Sequence, residues 1–238
     1  MDINCDLGEG FGNYKMPNDE KILPYVTSIN VACGFHAGDP IIMEDTVNLA
    51  IKYNVKIGAH PGYPDLQGFG RRELNMSPRE IYTMLLYQLG ALNAIVNANG
   101  AELHHVKPHG ALYNQSANDE IIADAVISAV KDFNSNLILY CLSGSLMAEM
   151  AERQGIEVYH EVFADRNYND DGTLVHRKHP NALIKDNSQM LKHVERIMRS
   201  KKILTINNKF IDIQADTICI HGDGENALQF AQNIANIK

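Results

Sequence analysis

Short polar clusters rich in Asp, Glu, His and Lys follow several apolar runs of this 238-residue sequence. Side chains of these types transfer protons, hold anions or bind metal ions. The stretch NVACGFHAGDP at residues 30–40 shows the pattern, because an apolar run ends in glycines with His36 and Asp39 before a proline and an apolar helical pattern. One such cluster is typical of an ordinary turn. Its recurrence after other apolar runs favours a functional site.

The clusters recur as DLGEG, GFHAGD, HPGYPD, KPHGALY, FADRNY and HGDGEN. Four histidines hold the same position relative to their apolar runs, which favours one shared site over four separate packing roles: His36, His60, His109 and His221. The candidate residues of these clusters are Asp6, Glu9, His36, Asp39, His60, Lys107, His109, Tyr113, Asp165, Arg166, His221 and Asp223.

Lys107 lies in HHVKPHG, where the two-residue period of a strand puts it on the same face as His105, with His109 just beyond. A lysine on an inward face needs a partner. One role is a structural ion pair with Asp6 or Asp165. The other is to hold a substrate carboxylate or a developing negative charge. The sequence leaves both roles open.

The loop GFGRRELNMSP, residues 68–78, places two glycines and Arg71 and Arg72 before a helix cap at Ser77. An arginine in such a loop could clamp an anion, and an ordinary solvated loop is the equal alternative. The chain contains neither GxxxxGK[ST] nor GxGxxG after a strand, so its motifs do not establish independent nucleotide binding.

An alternation of strands and helices must position these clusters. Amphipathic helical patterns are predicted over residues 40–54, 77–100, 118–133, 145–153, 187–199 and 224–236. Seven apolar runs are predicted to be strands: DINCD, INVACG, KIGAHP, LHHVKP, LILYCL, IEVYHE and TICIHGD. This alternation is typical of a parallel sheet.

The distribution of the clusters favours a closed barrel over an open sheet. The carboxyl ends of all strands of a barrel meet on one face, whereas an open doubly wound sheet concentrates its site at one switch point. We therefore predict an α/β fold, a TIM-like seven-stranded (β/α) barrel that forms a single domain over residues 1–238. The run ILTINNKFIDI, residues 203–213, breaks the alternation and is predicted to be an inserted β-hairpin.

Composition narrows the classes of partner. The chain is 45% hydrophobic with a formal net charge of −8 and no basic run, so we expect no binding to nucleic acid or to a membrane. Strand-like residues begin at Asp2 and no apolar stretch is long enough to span a bilayer, so we expect a cytoplasmic protein without a signal peptide. The four cysteines lie in apolar runs without CxxC spacing, which favours reduced core residues.

The ordered set of motifs resembles one known family, the A subunits of bacterial 5-oxoprolinase, also called LamB/YcsF. The motifs that carry the resemblance span nearly the whole chain: DINCDLGEGFG, INVACGFHAGDP, IGAHPGYPD, GFGRRE, VKPHGALYN, EVFADRNY, DGTLVHR and ICIHGD. The resemblance implies a seven-stranded β/α barrel of the glycoside hydrolase/deacetylase type that acts with partner subunits B and C. It also implies ATP-dependent opening of 5-oxo-L-proline to L-glutamate, with formation of ADP and phosphate.

Hypothetical roles follow from that reaction. A five-membered lactam is resonance-stabilised, so phosphorylation of its oxygen by ATP would make the carbonyl carbon open to attack by water. We expect Lys107 and Arg166 to hold anionic oxygens, and His36 or His109 to move protons. The expected catalytic group is Asp6, His36, Lys107 and His109. The expected substrate-binding group is Glu9, Asp39, His60, Arg71, Tyr113, Asp165, Arg166, His221 and Asp223. The acidic members would orient these groups or a Mg²⁺ ion that arrives with ATP.

Two other functions fit the same residues. One is a metal-dependent amide hydrolase or deacetylase, with Asp6, His36 and His60 as ligands of an ion that activates water. The other is a non-catalytic subunit that binds the substrate and presents it to an enzyme partner.

Overall fold

The structure, a computed structural model, describes residues 1–221 and 227–237. In this part of the chain seven parallel strands close into a barrel in the order β1-β2-β3-β4-β5-β6-β9. The predicted TIM-like α/β barrel is therefore confirmed. The barrel strands are β1 (Asp2–Leu7), β2 (Ser28–Ala32), β3 (Lys56–His60), β4 (Leu103–Val106), β5 (Ile138–Leu142), β6 (Val158–Phe163) and β9 (Thr217–His221).

Helices pack against the outside of this barrel and against one another. Their bounds are α1 (Asp19–Ile22), α2 (Pro40–Tyr53), α3 (Pro78–Ala98), α4 (Gly110–Ser116), α5 (Glu120–Asn134), α6 (Leu146–Arg153), α7 (Asn187–Ser200) and α8 (Ala227–Ala235), with a 3-10 turn at Leu23–Tyr25. Helix α4 was not predicted, because its seven residues follow a polar cluster and are too few to show an amphipathic period.

Helix α3 begins where the sequence predicts. The Ser77 hydroxyl accepts a hydrogen bond from the Glu80 N–H, and the Glu80 carboxylate accepts one from the Ser77 N–H. This capping box, with Pro78 at the first helical position, satisfies donors that a helix start otherwise leaves unpaired.

The predicted hairpin is also present. Strands β7 (Lys202–Leu204) and β8 (Phe210–Asp212) pair antiparallel outside the barrel. Asn208 in the connection has a φ of 60°, the left-handed conformation that asparagine tolerates better than most residues.

The interior of the barrel is polar where such barrels usually hold Val, Ile and Leu. The Asn30 amide donates to Asn4 Oδ1 and to Asp6 Oδ1, both at 2.8 Å. The Asn4 amide donates to Glu161 Oε1 at 2.9 Å, and His105 Nε2 lies 2.7 Å from Asn30 Oδ1. Because all five side chains are buried, each needs these partners. The barrel therefore carries a hydrogen-bonded layer beneath its carboxyl end.

The apolar core lies between the barrel and the helices, built from outward-facing strand residues and inward-facing helix residues. The cysteines fit the prediction of reduced core residues, because Cys5, Cys33, Cys141 and Cys219 are all buried and free. Among the described residues, no helix combines the length and apolar character needed to cross a bilayer.

Candidate active site

A cavity of about 1030 Å³ opens at the carboxyl ends of the strands. The cavity lies on the face of the barrel where the sequence predicts the site. The loops after β1, β3, β4 and β6 all contribute to the cavity wall. The predicted residues that line it are Asp6, Glu9, His60, Arg71, Lys107, His109, Tyr113 and Arg166.

Lys107 lies at the floor of this cavity and is only 2% exposed. Its ammonium contacts Asp6 Oδ1 at 2.9 Å and Glu161 Oε1 at 2.8 Å. Burial opposes the charged form, but Asp6, Cys219 and Glu161 outweigh it and raise the pKa of Lys107 well above its ordinary value. Lys107 is therefore a permanent buried cation, held between carboxylates on β1 and β6.

Three histidines and a glutamate gather beside Lys107. His60 Nε2 lies 2.9 Å from His109 Nδ1, and His36 Nε2 lies 3.2 Å from Glu9 Oε1. Glu9 Oε1 is also 3.5 Å from His109 Nδ1. The rings of His36 and His109 stack with centroids 3.7 Å apart. One donor atom from each of the four residues lies within 4.8 Å of the others, so the group could hold a metal ion.

Burial controls the protonation of two histidines of this group. It is the largest influence on His36 and on His109, and it lowers the pKa of both well below the ordinary value. Both rings are therefore neutral near pH 7, the form in which imidazole binds metals and acts as a base.

The loop between β3 and α3 packs tightly over the cluster. Gly70 has a φ of 63°, and a Cβ at this position would lie 2.7 Å from both His109 Cδ2 and His36 Cβ. The carbonyl oxygen of Phe69 contacts His109 Nε2 at 2.8 Å. Only glycine fits here, so the loop fixes two of the imidazole rings.

Tyr113 on α4 and Glu161 on β6 contribute two buried atoms to the same region. Neither Tyr113 Oη nor Glu161 Oε2 forms a hydrogen bond with a described residue. Burial and then the charge of Glu161 raise the pKa of Tyr113 well above its ordinary value. The phenol therefore stays protonated, and it and the Glu161 carboxylate lie close enough to interact with each other as well as with a ligand.

Arginines occupy the wall of the cavity. Arg166 is buried, donates from Nη2 to the Val175 carbonyl at 2.7 Å, and has an Nε without a hydrogen-bond partner among the described residues. Burial, followed by the neighbouring Arg177, lowers its pKa to about 10, so it stays charged at neutral pH. Arg71 and Arg72 also line the cavity, and Arg72 pairs with Asp65.

Some predicted residues have other placements. Asp39 caps α2, because its carboxylate accepts hydrogen bonds from the backbone N–H groups of Ile41, Ile42 and Gly12. The Asp165 backbone carbonyl accepts from the Ile184 N–H at 2.7 Å. His221 pairs through its backbone with Asp6 at the end of β9, and Asp223 lies outside the described residues.

The prediction missed Glu161, Asn4 and Asn30. Each is a polar residue within an apolar strand, and that departure from the strand's composition was the available signal. The expected metal ligands Asp6, His36 and His60 partly coincide with the group observed. Asp6 Oδ2 lies 3.4 Å from His60 Nε2, but its other oxygen is bound to Lys107.

Comparisons with known proteins extend over the whole chain. A model of the LamB/YcsF family matches residues 1–237. A protein of Bacillus cereus (strain 03BB102), named as the A subunit of 5-oxoprolinase, is 53% identical over 98% of this chain and 93% of its own length. A protein of the same name from Bacillus thuringiensis subsp. konkukian (strain 97-27) is 54% identical with the same coverage.

A solved structure agrees with these matches. The lactam utilization protein from Thermus thermophilus superimposes with a TM-score of 0.94 and 41% identity, covering 100% of this chain and 95% of that one. With the family model matched from residue 1 to residue 237, this chain belongs to the LamB/YcsF family.

Proposed function

We propose that this chain is the A subunit of an ATP-dependent 5-oxoprolinase that hydrolyses 5-oxo-L-proline to L-glutamate, with ATP converted to ADP and phosphate. The carrying observation is the 53% identity, over 98% of the chain, to a protein named as the A subunit of 5-oxoprolinase. That name motivates the further proposal of partner subunits B and C.

The chemistry of the cavity supports a small anionic lactam as the substrate. 5-Oxoproline carries one carboxylate, one N–H donor and one carbonyl acceptor. Arg166 supplies a cationic donor and Lys107 a buried positive charge whose own N–H groups are already bonded within the barrel. Tyr113 supplies a neutral hydroxyl donor, and Glu161 Oε2 is an acceptor without a well-aligned hydrogen bond to the described residues. Each polar group of the lactam thus has a complementary group in or just beneath the cavity wall.

ATP enters this proposal as a co-substrate. The wall residues Arg71 and Arg166 are suited to hold phosphoryl oxygens, and the orphaned Arg166 Nε is a donor in position to do so. ATP, with Mg²⁺, would supply the phosphoryl group that activates the lactam oxygen. His36 and His109, neutral and close to Glu9, are the groups proposed to accept a proton from the attacking water.

A reconstitution tests the proposal. Purified chain combined with subunits B and C should form glutamate from 5-oxoproline only when ATP is present. Tyr113→Phe should reduce turnover by about tenfold to a hundredfold, because it removes a buried hydroxyl donor from the cavity wall. It should still fold, since the aromatic ring is retained and the hydroxyl forms no well-aligned hydrogen bond with a described residue.

The matched control is Tyr140→Phe. It also removes one phenolic hydroxyl, but that group contacts Asp2 at the amino end of the barrel, opposite the cavity. Turnover should therefore remain close to that of the wild type. A complete set of subunits that forms no glutamate would refute the proposed substrate, and equal turnover in both variants would remove Tyr113 from the site.

A metal-dependent amide hydrolase is the second candidate function, favoured by the cluster of Glu9, His36, His60 and His109. It predicts amide hydrolysis that needs a divalent ion and proceeds without ATP. Assaying the same preparation with and without ATP separates the two candidates. Binding of 5-oxoproline without turnover in any combination of subunits would instead support a substrate-presenting role.

A further inference from the structure

Two imidazoles of the cluster direct lone pairs at each other. His60 Nδ1 lies 2.7 Å from the Lys107 carbonyl oxygen, and His109 Nε2 lies 2.8 Å from the Phe69 carbonyl oxygen. A carbonyl oxygen only accepts, so both of these nitrogens must carry hydrogen. In the neutral rings, His60 Nε2 and His109 Nδ1 are therefore both unprotonated, yet they lie 2.9 Å apart. Such a contact needs a cation or an extra proton between the two atoms.

The arrangement of the other nitrogens also suits a metal. Histidines that bind metals usually donate their second N–H to a backbone carbonyl or a carboxylate, which fixes the tautomer and orients the ring. The bonds of His60 to the Lys107 carbonyl and of His109 to the Phe69 carbonyl are of this kind. The orienting contacts of a metal site are thus already in place around two of its ligands.

Distances among the donor atoms fit a four-coordinate ion. Bonds of about 2.0–2.1 Å in tetrahedral geometry place neighbouring donor atoms about 3.4 Å apart. The observed separations are 2.9 Å between His60 and His109, 3.2 Å between His36 and Glu9, and 3.5 Å between His109 and Glu9. All four donor atoms lie within 4.8 Å of one another, so the more distant donors would have to move closer and His60 and His109 slightly apart to complete the site.

The cluster is buried and also open to the cavity. All four residues are buried, and because the rings of His36 and His109 stack nearly parallel, one of them would have to rotate for both to direct a lone pair at the same ion. Glu9, His60 and His109 also line the cavity, so an ion among them would present one side to a bound molecule. This combination is typical of a site at which an ion polarises an oxygen of the substrate.

We propose that Glu9, His36, His60 and His109 form a binding site for one divalent transition-metal ion. Three imidazole nitrogens and one carboxylate oxygen are a donor set that suits Zn²⁺. Bound there, the ion replaces the unfavourable approach of the two histidine lone pairs by two coordination bonds. The site is a property of this chain alone and does not depend on the lactam, ATP or partner subunits.

A metal titration of the isolated chain tests the site. The protein is dialysed against a chelator, and Zn²⁺ alone is then added while the heat of binding and the thermal unfolding midpoint are recorded. Wild-type protein should bind one Zn²⁺ per chain and unfold at a higher temperature when loaded. His60→Gln and His109→Gln should each weaken binding at least tenfold, whereas the exposed His179→Gln should bind as the wild type does.

A measurement on the wild type keeps the test decisive if a variant does not fold. X-ray absorption of the Zn²⁺-loaded chain should show imidazole scattering at about 2.0–2.1 Å. Absence of stoichiometric Zn²⁺ binding to the wild type would overturn the site and leave a shared proton between His60 and His109. Equal binding in all three variants would overturn it as well. Because no substrate is present, the titration tests the site without testing the identity of the lactam substrate. Stoichiometric binding would make His36 and His109 ligands instead of proton acceptors, and its absence would also count against the metal-dependent hydrolase.

Discussion

At the scale of single residues, Lys107 unites the two roles that the sequence left open. It forms a structural ion pair with Asp6, and its second carboxylate partner is Glu161. Its position at the floor of the cavity still allows it to act on a bound anion. A cation between two carboxylates holds the barrel interior together and sets the charge that a substrate meets, so stability and function must be separated experimentally.

Replacing Lys107 with alanine should lower the free energy of unfolding by about 3–5 kcal/mol, because it leaves Asp6 and Glu161 buried without their shared cation. Adding Glu161→Gln should recover part of that loss, since it removes one of the two carboxylate charges. Urea unfolding at pH 7.5 measures both effects.

Lys209→Ala provides the control for this pair of variants, because its ammonium contacts Asp170 at the surface and should contribute little to stability. A Lys107→Ala protein as stable as Lys209→Ala would show that the buried cation is dispensable. Failure of Glu161→Gln to recover any stability would show that charge balance is not the cause.

Residue types and spacing were enough to predict most of the cavity wall, because the clusters after β1, β3, β4 and β6 converge at one end of the barrel. They were not enough to predict Asp39, whose place after a strand resembles the others. Whether a carboxylate at a strand end caps the next helix or faces the cavity depends on backbone direction, which sequence spacing does not determine.

At the scale of elements, α7 shows a sequence signal that was misread. His193 lies among charged residues, a setting typical of a solvated face, but it is 4% exposed and lies 3.1 Å from the Phe163 carbonyl oxygen. Met190, Val194 and Ile197 are buried beside it at intervals of three or four residues. The helical period therefore placed His193 on the buried face, and its polar neighbours obscured that assignment.

The burial of His193 should make stability depend on pH. Burial lowers its folded-state pKa to about 4, against an ordinary value of 6.5. The unfolded chain therefore binds the proton first as pH falls, and the stabilisation present above about pH 6.5 is lost progressively towards pH 4. Between pH 7.5 and pH 5 this single group should cost about 2 kcal/mol.

Urea unfolding of the wild type and of His193→Gln at pH 7.5 and pH 5 measures this cost. The glutamine amide can still donate a hydrogen bond towards the Phe163 carbonyl, but it does not titrate. The variant should therefore lose about 2 kcal/mol less than the wild type over this interval. The control His179→Gln changes an exposed histidine and should lose as much stability as the wild type between pH 7.5 and pH 5. An equal loss of stability in all three proteins would exclude His193 as the cause.

At the scale of the whole molecule, the predicted seven strands all occur in the described barrel. The repeating alternation of apolar runs and amphipathic helices made the topology predictable, because each connection must cross over to a parallel neighbour. The pair of strands that closes the barrel could not be identified from the local sequence pattern. It depends on β9 returning to β1, a pairing between residues as distant as Asp2 and Thr217.

One continuous hydrophobic core between the closed barrel and its helices predicts that the chain unfolds as a single unit. The chain has no Trp and 10 Tyr, so tyrosine fluorescence and far-UV circular dichroism report tertiary and secondary structure respectively. Their urea transitions should coincide. Two transitions with separate midpoints would contradict the prediction of one domain over residues 1–238.

The pairing of β1 with β9 also has a consequence for biosynthesis. Asp2 and Thr217 are 215 residues apart, and at roughly 5–20 residues per second the ribosome needs about 10–40 s to make the chain between them. Throughout that interval β1 has an unpaired edge, and the surroundings of Lys107 and Asp6 stay incomplete because Cys219 has not yet been made. The nascent chain therefore has to be shielded from other strand edges until the last barrel strand emerges.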